Sequence, residues 1–386
     1  MKIPMWVRLC AVLVTASALV AAAAAVVVLA DRRSALADRA ARAALAERYA
    51  AAGDDARAAG DRAMAGRAFA SALDLRPGDM TLRARLAAVH VEQMLDGSEK
   101  LTETSAARLQ LEFSERLLAT GRDARTLAAF GKVLSYRGQG EAARERLREA
   151  IALDPGLAPA HVLLAEALLR AEEWTGAAAS AERALAITPD DPAAHLAMAQ
   201  AQAGLGAMEV AALHYGKAAE KLDEPAVWQA LGRVELGREK WAEAEAAFAR
   251  VLARRPDANG VYADYGRALA RLGRLQPAAR FFERAYRELG DLDAYAALGD
   301  VALKGGDFAA AVKVFGELAS ARADDPEVTC RLGFALEGAG QPAAALAAFT
   351  RCGQQSAGIE GRERLAQAAA AKVEALRAKG EGAGEK

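Results

Sequence analysis

The sequence predicts an all-α chain in which helical hairpins follow one another along most of its 386 residues. Three observations predict it. A small set of residue types recurs about every 34 residues, glycines and prolines punctuate that recurrence at regular places, and the apolar content is carried largely by alanine.

Composition favours helices over a thick globular core. Hydrophobic residues make up 53% of the chain, yet aromatic residues only 5%. Alanine has the highest helix propensity and little bulk, so such a chain suits many closely packed helices. The formal net charge of -1, with no long basic block, gives no global pull toward nucleic acid and argues against DNA or RNA as a partner.

At the N-terminus, residues 1–8 form a short basic leader. Leu9 to Ala30 then carry no charge, and Cys10, Thr15 and Ser17 are the only polar side chains. As a helix this run is roughly 33 Å long, enough to cross a hydrocarbon core of about 30 Å. Its length favours an uncleaved transmembrane anchor over a cleaved signal, although Ala35-Leu36-Ala37 offers a small-x-small site. Residues 31–45 read as a juxtamembrane helix or linker. Arg32, Arg33, Arg39 and Arg42 outnumber Lys2 and Arg8, which leans toward a cytoplasmic repeat domain. The basic leader before an apolar run looks instead like an export signal. The expectation taken forward is a single-pass membrane protein with its repeat domain on the exported, periplasmic side.

The recurrence is clearest in the pattern Ala-x-x-x-aromatic-x-x-Ala. Its leading alanine stands at Ala65, Ala143, Ala177, Ala211, Ala244, Ala278, Ala311 and Ala345. Four residues later come Phe69, Leu147, Ala181, Tyr215, Phe248, Phe282, Phe315 and Phe349. Such i, i+4 pairs share one face of a helix. Upstream in each unit lies a second pattern, Trp228-x-x-Leu231-Gly232, repeated as Tyr262/Tyr265/Gly266, Tyr295/Leu298/Gly299 and Thr329/Leu332/Gly333. Weaker copies begin at Tyr49, Leu127, His161 and His195. Gly138, Gly206, Gly273, Gly306 and Gly340 mark turns between paired helices, and Pro77, Pro155, Pro189 and Pro256 close units where a helix cannot continue.

These residues resemble the tetratricopeptide repeat (TPR) family, with its Trp-x2-Leu-Gly, Ala-x3-Phe-x2-Ala and closing proline. The likeness spans about Ala46 to Gly358. It implies a right-handed superhelical solenoid of about nine hairpins over 46–359, in the segments 46–79, 80–123, 124–157, 158–191, 192–224, 225–258, 259–291, 292–325 and 326–359. A capping helix (360–379) and a disordered tail (380–386) follow. The small residues are expected where helices approach most closely, since overpacking there typically costs about 1–3 kcal/mol. The aromatic is expected to fill the gap between successive hairpins. No hairpin buries its apolar face alone, so stacking supplies stability.

One unit is irregular. Ala65 to Ala143 spans 78 residues, which stretches the second repeat (80–123) by about ten. Cys330 and Cys352 fall on the two helices of one hairpin, either as two buried thiols or, in an oxidising compartment, as a disulfide.

Nothing in the sequence points to catalysis, and no catalytic, cofactor-binding or metal-binding residue is assigned. The histidines are His90, His161, His195 and His214. His161 and His195 occupy equivalent places in adjacent repeats, too far apart to share a metal at a helix spacing of about 10 Å. No phosphate loop, nucleophile elbow or His-Glu-x-x-His motif is present. Trp174, Trp241 and Phe308 share one place early in second helices and read as wedges between hairpins.

Binding is the remaining role. The family resemblance implies a concave face built from first helices, with sites one and five residues after the Trp-like position. At the latter stand Lys132, Glu166, Gln200, Arg233, Arg267 and Asp300, with Gln229 and Arg271 beside them. Lys132, Gln200, Gln229, Arg233, Arg267 and Arg271 are the candidate partner-binding residues, suited to an acidic or extended peptide segment. The Lys–Asn pairing of the chaperone-binding class is not found. The function expected is a membrane-anchored protein-interaction scaffold or adaptor, in envelope complex assembly or export. The alternative is a chaperone-like factor holding an unfolded client such as an apocytochrome.

Overall fold

The computed structural model describes the backbone of residues 5–98, 101–120 and 122–383, and their side chains except those of 5–30, 34, 118–120 and 379–383. The described residues hold nineteen α-helices, one 3-10 turn and no strand. They divide into two compact units, Met1–Ala171 and Glu172–Lys386. The boundary falls inside segment 158–191, in the turn between its two helices.

The first unit contains α1 (Met5–Ala58), α2 (Arg62–Leu75), α3 (Met80–Asp96), α4 (Glu103–Thr120), α5 (Ala124–Tyr136), α6 (Gly140–Leu153) and α7 (Ala158–Arg170). The second begins with α8 (Trp174–Ile187), α9 (Pro192–Gly204), α10 (Met208–Leu222), α11 (Pro225–Gly237) and α12 (Trp241–Arg254). After a 3-10 turn at Asn259–Val261 come α13 (Tyr262–Arg271), α14 (Leu275–Leu289), α15 (Leu292–Lys304), α16 (Phe308–Ala321), α17 (Pro326–Gly338), α18 (Pro342–Ser356) and α19 (Glu363–Ala383). Helix starts are fixed by local chemistry. The carboxylates of Asp61, Asp79, Asp123, Asp191, Asp291, Asp307 and Asp325 accept from free backbone N–H groups of the following turn. Gly138, Gly206, Gly273, Gly306 and Gly340 take positive φ in the turns inside hairpins; Glu239 does so too, at φ 60°.

The membrane placement does not stand. Among the described residues no helix is long and apolar enough to cross a membrane, which overturns the single-pass anchor at residues 9–30 and the exported, periplasmic location built on it. Helix α1 does not stop after the apolar run. It continues unbroken through Asp31, Arg32, Arg33, Asp38, Arg39 and Arg42, and these side chains are exposed. The side chains of residues 9–30 themselves lie outside the described residues. At the other end, α19 runs on to Ala383, past the expected limit of the capping helix at 379, and residues 384–386 lie outside the described residues.

The packing explains the repeat. All eight leading alanines are fully buried. The aromatic four residues later packs toward the next hairpin, as expected, with Phe248 beside Val261 and Tyr262 and Phe315 beside Val328, and it also packs inside its own hairpin. A Cβ on Gly232, Gly266, Gly299 or Gly333 would lie 2.6–2.8 Å from the ring of Phe248, Phe282, Phe315 or Phe349 respectively. Glycine on the first helix therefore leaves the space that the ring of the second helix fills. Gly53 with Phe69, and Gly131 with Leu147, repeat the arrangement in the first unit.

The junctions between hairpins use the early second-helix position, in agreement with the wedge reading. Trp174 presses against Gly204 and Phe308 against Gly338, both on the first helix of the next hairpin. The Arg271 guanidinium lies 5.3 Å from the Trp241 ring centroid. At Gly237, the corresponding place after α10, a Cβ would meet nothing within 4 Å. In the last hairpin Cys330 and Cys352 form a disulfide with Cα atoms 5.3 Å apart. The same buried cluster receives Ala369 and Leu376 of α19.

Candidate functional site

The Trp-like position has a job that its residue types obscure. His161 Nε2 lies 3.0 Å from the Pro155 carbonyl oxygen, and the Tyr262 hydroxyl donates to the Pro256 carbonyl at 3.0 Å. Each ties the start of a first helix to the turn before it, six residues back, satisfying a carbonyl that helical bonding leaves over. His161 and His195 are buried, and their work is structural. Among the described residues no group of three or more His, Cys, Asp or Glu side chains could hold a metal ion.

Sequence reasoning missed a pairing of His195 with His214. Their Nδ1 atoms are 2.9 Å apart, so one ring must donate and the other accept. His195 also bonds the Pro189 carbonyl. Burial holds both imidazoles below their usual 6.5; Lys217 adds to this at each ring and His195 itself at His214, while Asp190 and Asp191 oppose it at His195. The sign follows from linkage. Above about pH 6.5 both rings are neutral whether the chain is folded or not, and the pair contributes fully; as pH falls below that value the unfolded chain takes up protons first. The melting temperature of the wild type is expected to fall from about pH 7.5 to about pH 5.5 more steeply than that of His214→Leu. Parallel pH profiles would show that the pair does not titrate as described.

The candidate binding residues separate into two places. Lys132 belongs to the first unit, where its Nζ donates to the Met94 carbonyl at 2.7 Å. It lines a cleft of about 300 Å³ with Leu101, Ser135, Tyr136, Leu163, Glu166 and Arg170. Burial lowers the pKa of its ammonium, against the opposing pull of Glu166 and Asp96. Lys132 is thus committed to holding α5 against the end of α3.

Gln200, Gln229, Arg233, Arg267 and Arg271 all belong to the second unit. Gln200, Arg233, Arg267 and Asp300 follow one another on α9, α11, α13 and α15, one per hairpin. Arg233 and Arg267 meet on Asp264, which sequence reasoning left out. Arg233 Nε donates to Asp264 Oδ2 at 3.0 Å, and Arg267 Nη1 to Oδ1 at 2.8 Å. The arginine side chains are 57% and 55% exposed and the aspartate 15%. The carboxylate is the buried hub and the guanidiniums keep donors facing solvent. Arg271 is exposed over Trp241 and Gln229 is half-buried. Farther along, Asp300 pairs with Arg331 at 3.4 Å. Burial raises its pKa, with Glu327 adding and Arg331 and Lys304 opposing. Phe334 ends the row, with Lys372 Nζ 5.2 Å from its ring centroid. A signal for Asp264 was present: it stands three residues before Arg267 on a helix, where the two side chains share a face.

Such an arrangement presents polar side chains in a row, one per hairpin. The class it defines is a helical-repeat protein that offers a surface to other molecules. The chain belongs to the tetratricopeptide repeat family: models described as tetratricopeptide repeat match residues 134–201, 230–294 and 296–356, together just over half of the chain. Proteins of this family generally mediate protein–protein interaction, and their fold is typically non-catalytic.

Among solved structures, a tetratricopeptide repeat protein from Parabacteroides merdae is similar at 14% identity. The match covers 63% of this chain and 92% of that one, with a TM-score of 0.42. YrrB, described as a TPR protein with an unusual peptide-binding site, matches at 18% identity over 50% of this chain and 98% of that one, with a TM-score of 0.43. PilF of Pseudomonas aeruginosa matches at 21% identity over 53% and 94%, with a TM-score of 0.42. No curated protein matches the sequence.

Proposed function

We propose that this protein is an interaction scaffold whose second unit holds an acidic or extended segment of a partner protein along Gln200, Gln229, Arg233, Arg267 and Arg271. The observation that supports this most is the pair of half-exposed arginines fixed by Asp264. A guanidinium held in place by one carboxylate keeps its remaining donors oriented for a second, and little side-chain entropy is left to lose on binding. The alternative of a client-holding chaperone would call for apolar side chains along the row. Apart from Phe334 the row is polar.

The test uses a fluorescent Glu-rich peptide at low salt. Arg233→Gln with Arg267→Gln is expected to weaken its binding by about tenfold or more, in line with hot-spot losses of ~2 kcal/mol, while the circular dichroism melt stays unchanged. Asp264→Asn is expected to weaken binding as well, because it releases both arginines from the carboxylate that orients them. If neither variant changes the affinity, the row is not the binding face.

A further inference from the structure

We propose that the groove between α3 and α4 is a second docking site, for a partner segment that sets two bulky apolar residues beside a carboxylate. The reason for the groove lies in the repeat register. Counting one period back from Ala143 reaches Leu109, and four residues later comes Phe113. The aromatic is retained, but leucine stands where the eight other repeats carry alanine. Leu109 is fully buried among Val91, Met94, Phe113, Ala129 and Val133. A leucine at the point of closest approach keeps α4 from closing onto α3. The two helices accordingly run close along less of their length than α5–α6 or α9–α10.

What the separation leaves is a groove of about 280 Å³. Leu73, Leu86 and Ala87 lie along it, and Met80 and Leu111 are its lips, 55% and 67% exposed. Pockets for small ligands run to about 300–1,000 Å³, so this one suits a pair of side chains and not a whole helix. The open lips leave the apolar surface in water until something covers it.

The rim states the charge of that something. Arg83 faces Glu115 at 3.8 Å and His90 holds Glu112 at 2.8 Å. Arg116 donates to the Ala84 carbonyl at 2.9 Å and to the Thr126 hydroxyl at 3.0 Å, and pairs with Asp123 at 3.9 Å. Arg108 is the exception: it is exposed on the lip and makes no ion pair among the described residues. Arg108, a cation on the lip outside any ion pair among the described residues, is complementary to a carboxylate carried beside apolar side chains. A peptide provides both along a single short stretch.

The experiment pans a phage-displayed dodecapeptide library on the full chain, with counter-selection on Leu111→Asp. Enriched peptides are expected to carry paired bulky apolar residues flanked by Asp or Glu. Their affinity, read by fluorescence anisotropy, should drop by about tenfold or more in Leu111→Asp and in Arg108→Glu, and survive Arg108→Lys. Both side chains are exposed, so circular dichroism should match the wild type. Arg233→Gln with Arg267→Gln should leave this binding unchanged, which separates the groove from the second-unit row. The proposal is overturned by any of four results: no enrichment, enriched peptides that bind both variants normally, binding of laurate or phosphatidylglycerol vesicles with no peptide selected, or self-association of the chain that Leu111→Asp abolishes.

Discussion

Gly299→Ala is expected to destabilise its hairpin by about 1–3 kcal/mol, whereas Gly316→Ala in the same hairpin should stabilise it by ~0.5–1 kcal/mol. The two substitutions are chemically identical, and both glycines sit inside helices, α15 and α16. They differ in what the new methyl meets. At Gly299 it would lie 2.6 Å from the buried Phe315 ring, and at Gly316 nothing stands within 4 Å. The ring cannot yield cheaply, because Phe315 is fully buried among Ala311, Val314 and Leu318. At Gly316 only the backbone term remains, and alanine restricts the unfolded chain more than glycine does. Urea denaturation with hydrogen exchange on the α15–α16 amides reads both effects. Equal signs for the two variants would mean that the ring-in-glycine packing does not hold the hairpin together.

Reducing the Cys330–Cys352 bond is expected to destabilise the last hairpin and α19 by about 3 kcal/mol. The bridge closes a loop with a sequence separation of 22, and a cross-link of that size restricts the unfolded chain by about that amount. The loss should be local. In a stack whose elements contact only their neighbours, protection should fall in α17, α18 and α19 while α9 to α12 keep theirs. Cys330→Ala with Cys352→Ala should resemble the reduced wild type, apart from a modest packing loss at two buried sites. Unchanged exchange in α19 after complete reduction, verified by thiol labelling, would contradict this account.

Most of the fold was legible because it repeats. One alanine in a helix says little, but eight in register mark where helices touch, and all eight are fully buried. The aromatic was legible as a filler between successive hairpins, but its second contact inside the hairpin was not, because periodicity gives a residue's position within a repeat and not every neighbour it faces. The glycine sixteen residues earlier, read as the ring's partner, reveals the contact within the hairpin. At the candidate site, single positions were legible and pairings were not. Arg233 and Arg267 could be named from their place in the repeat. Their shared Asp264, and the meeting of His195 with His214, depend on how neighbouring helices face one another. Lys132 is set apart from the other candidates by its surroundings, the Met94 carbonyl and Glu166, which its place in the repeat does not disclose. The membrane reading failed differently. It took the uncharged run as a span, and among the described residues no helix is long and apolar enough to cross a membrane.

The junctions between hairpins imply a graded elasticity along the second unit. Where Trp174 meets Gly204, or Phe308 meets Gly338, a rigid ring fills the seam and resists shear. After α10 the seam begins with Met208, a flexible side chain 40% exposed, opposite an unoccupied Gly237. That compliant joint lies between the hairpins bearing Gln200 and Arg233. Bending there would change the spacing of Gln200 and Arg233, whereas Arg233 and Arg267 are tied to each other through Asp264.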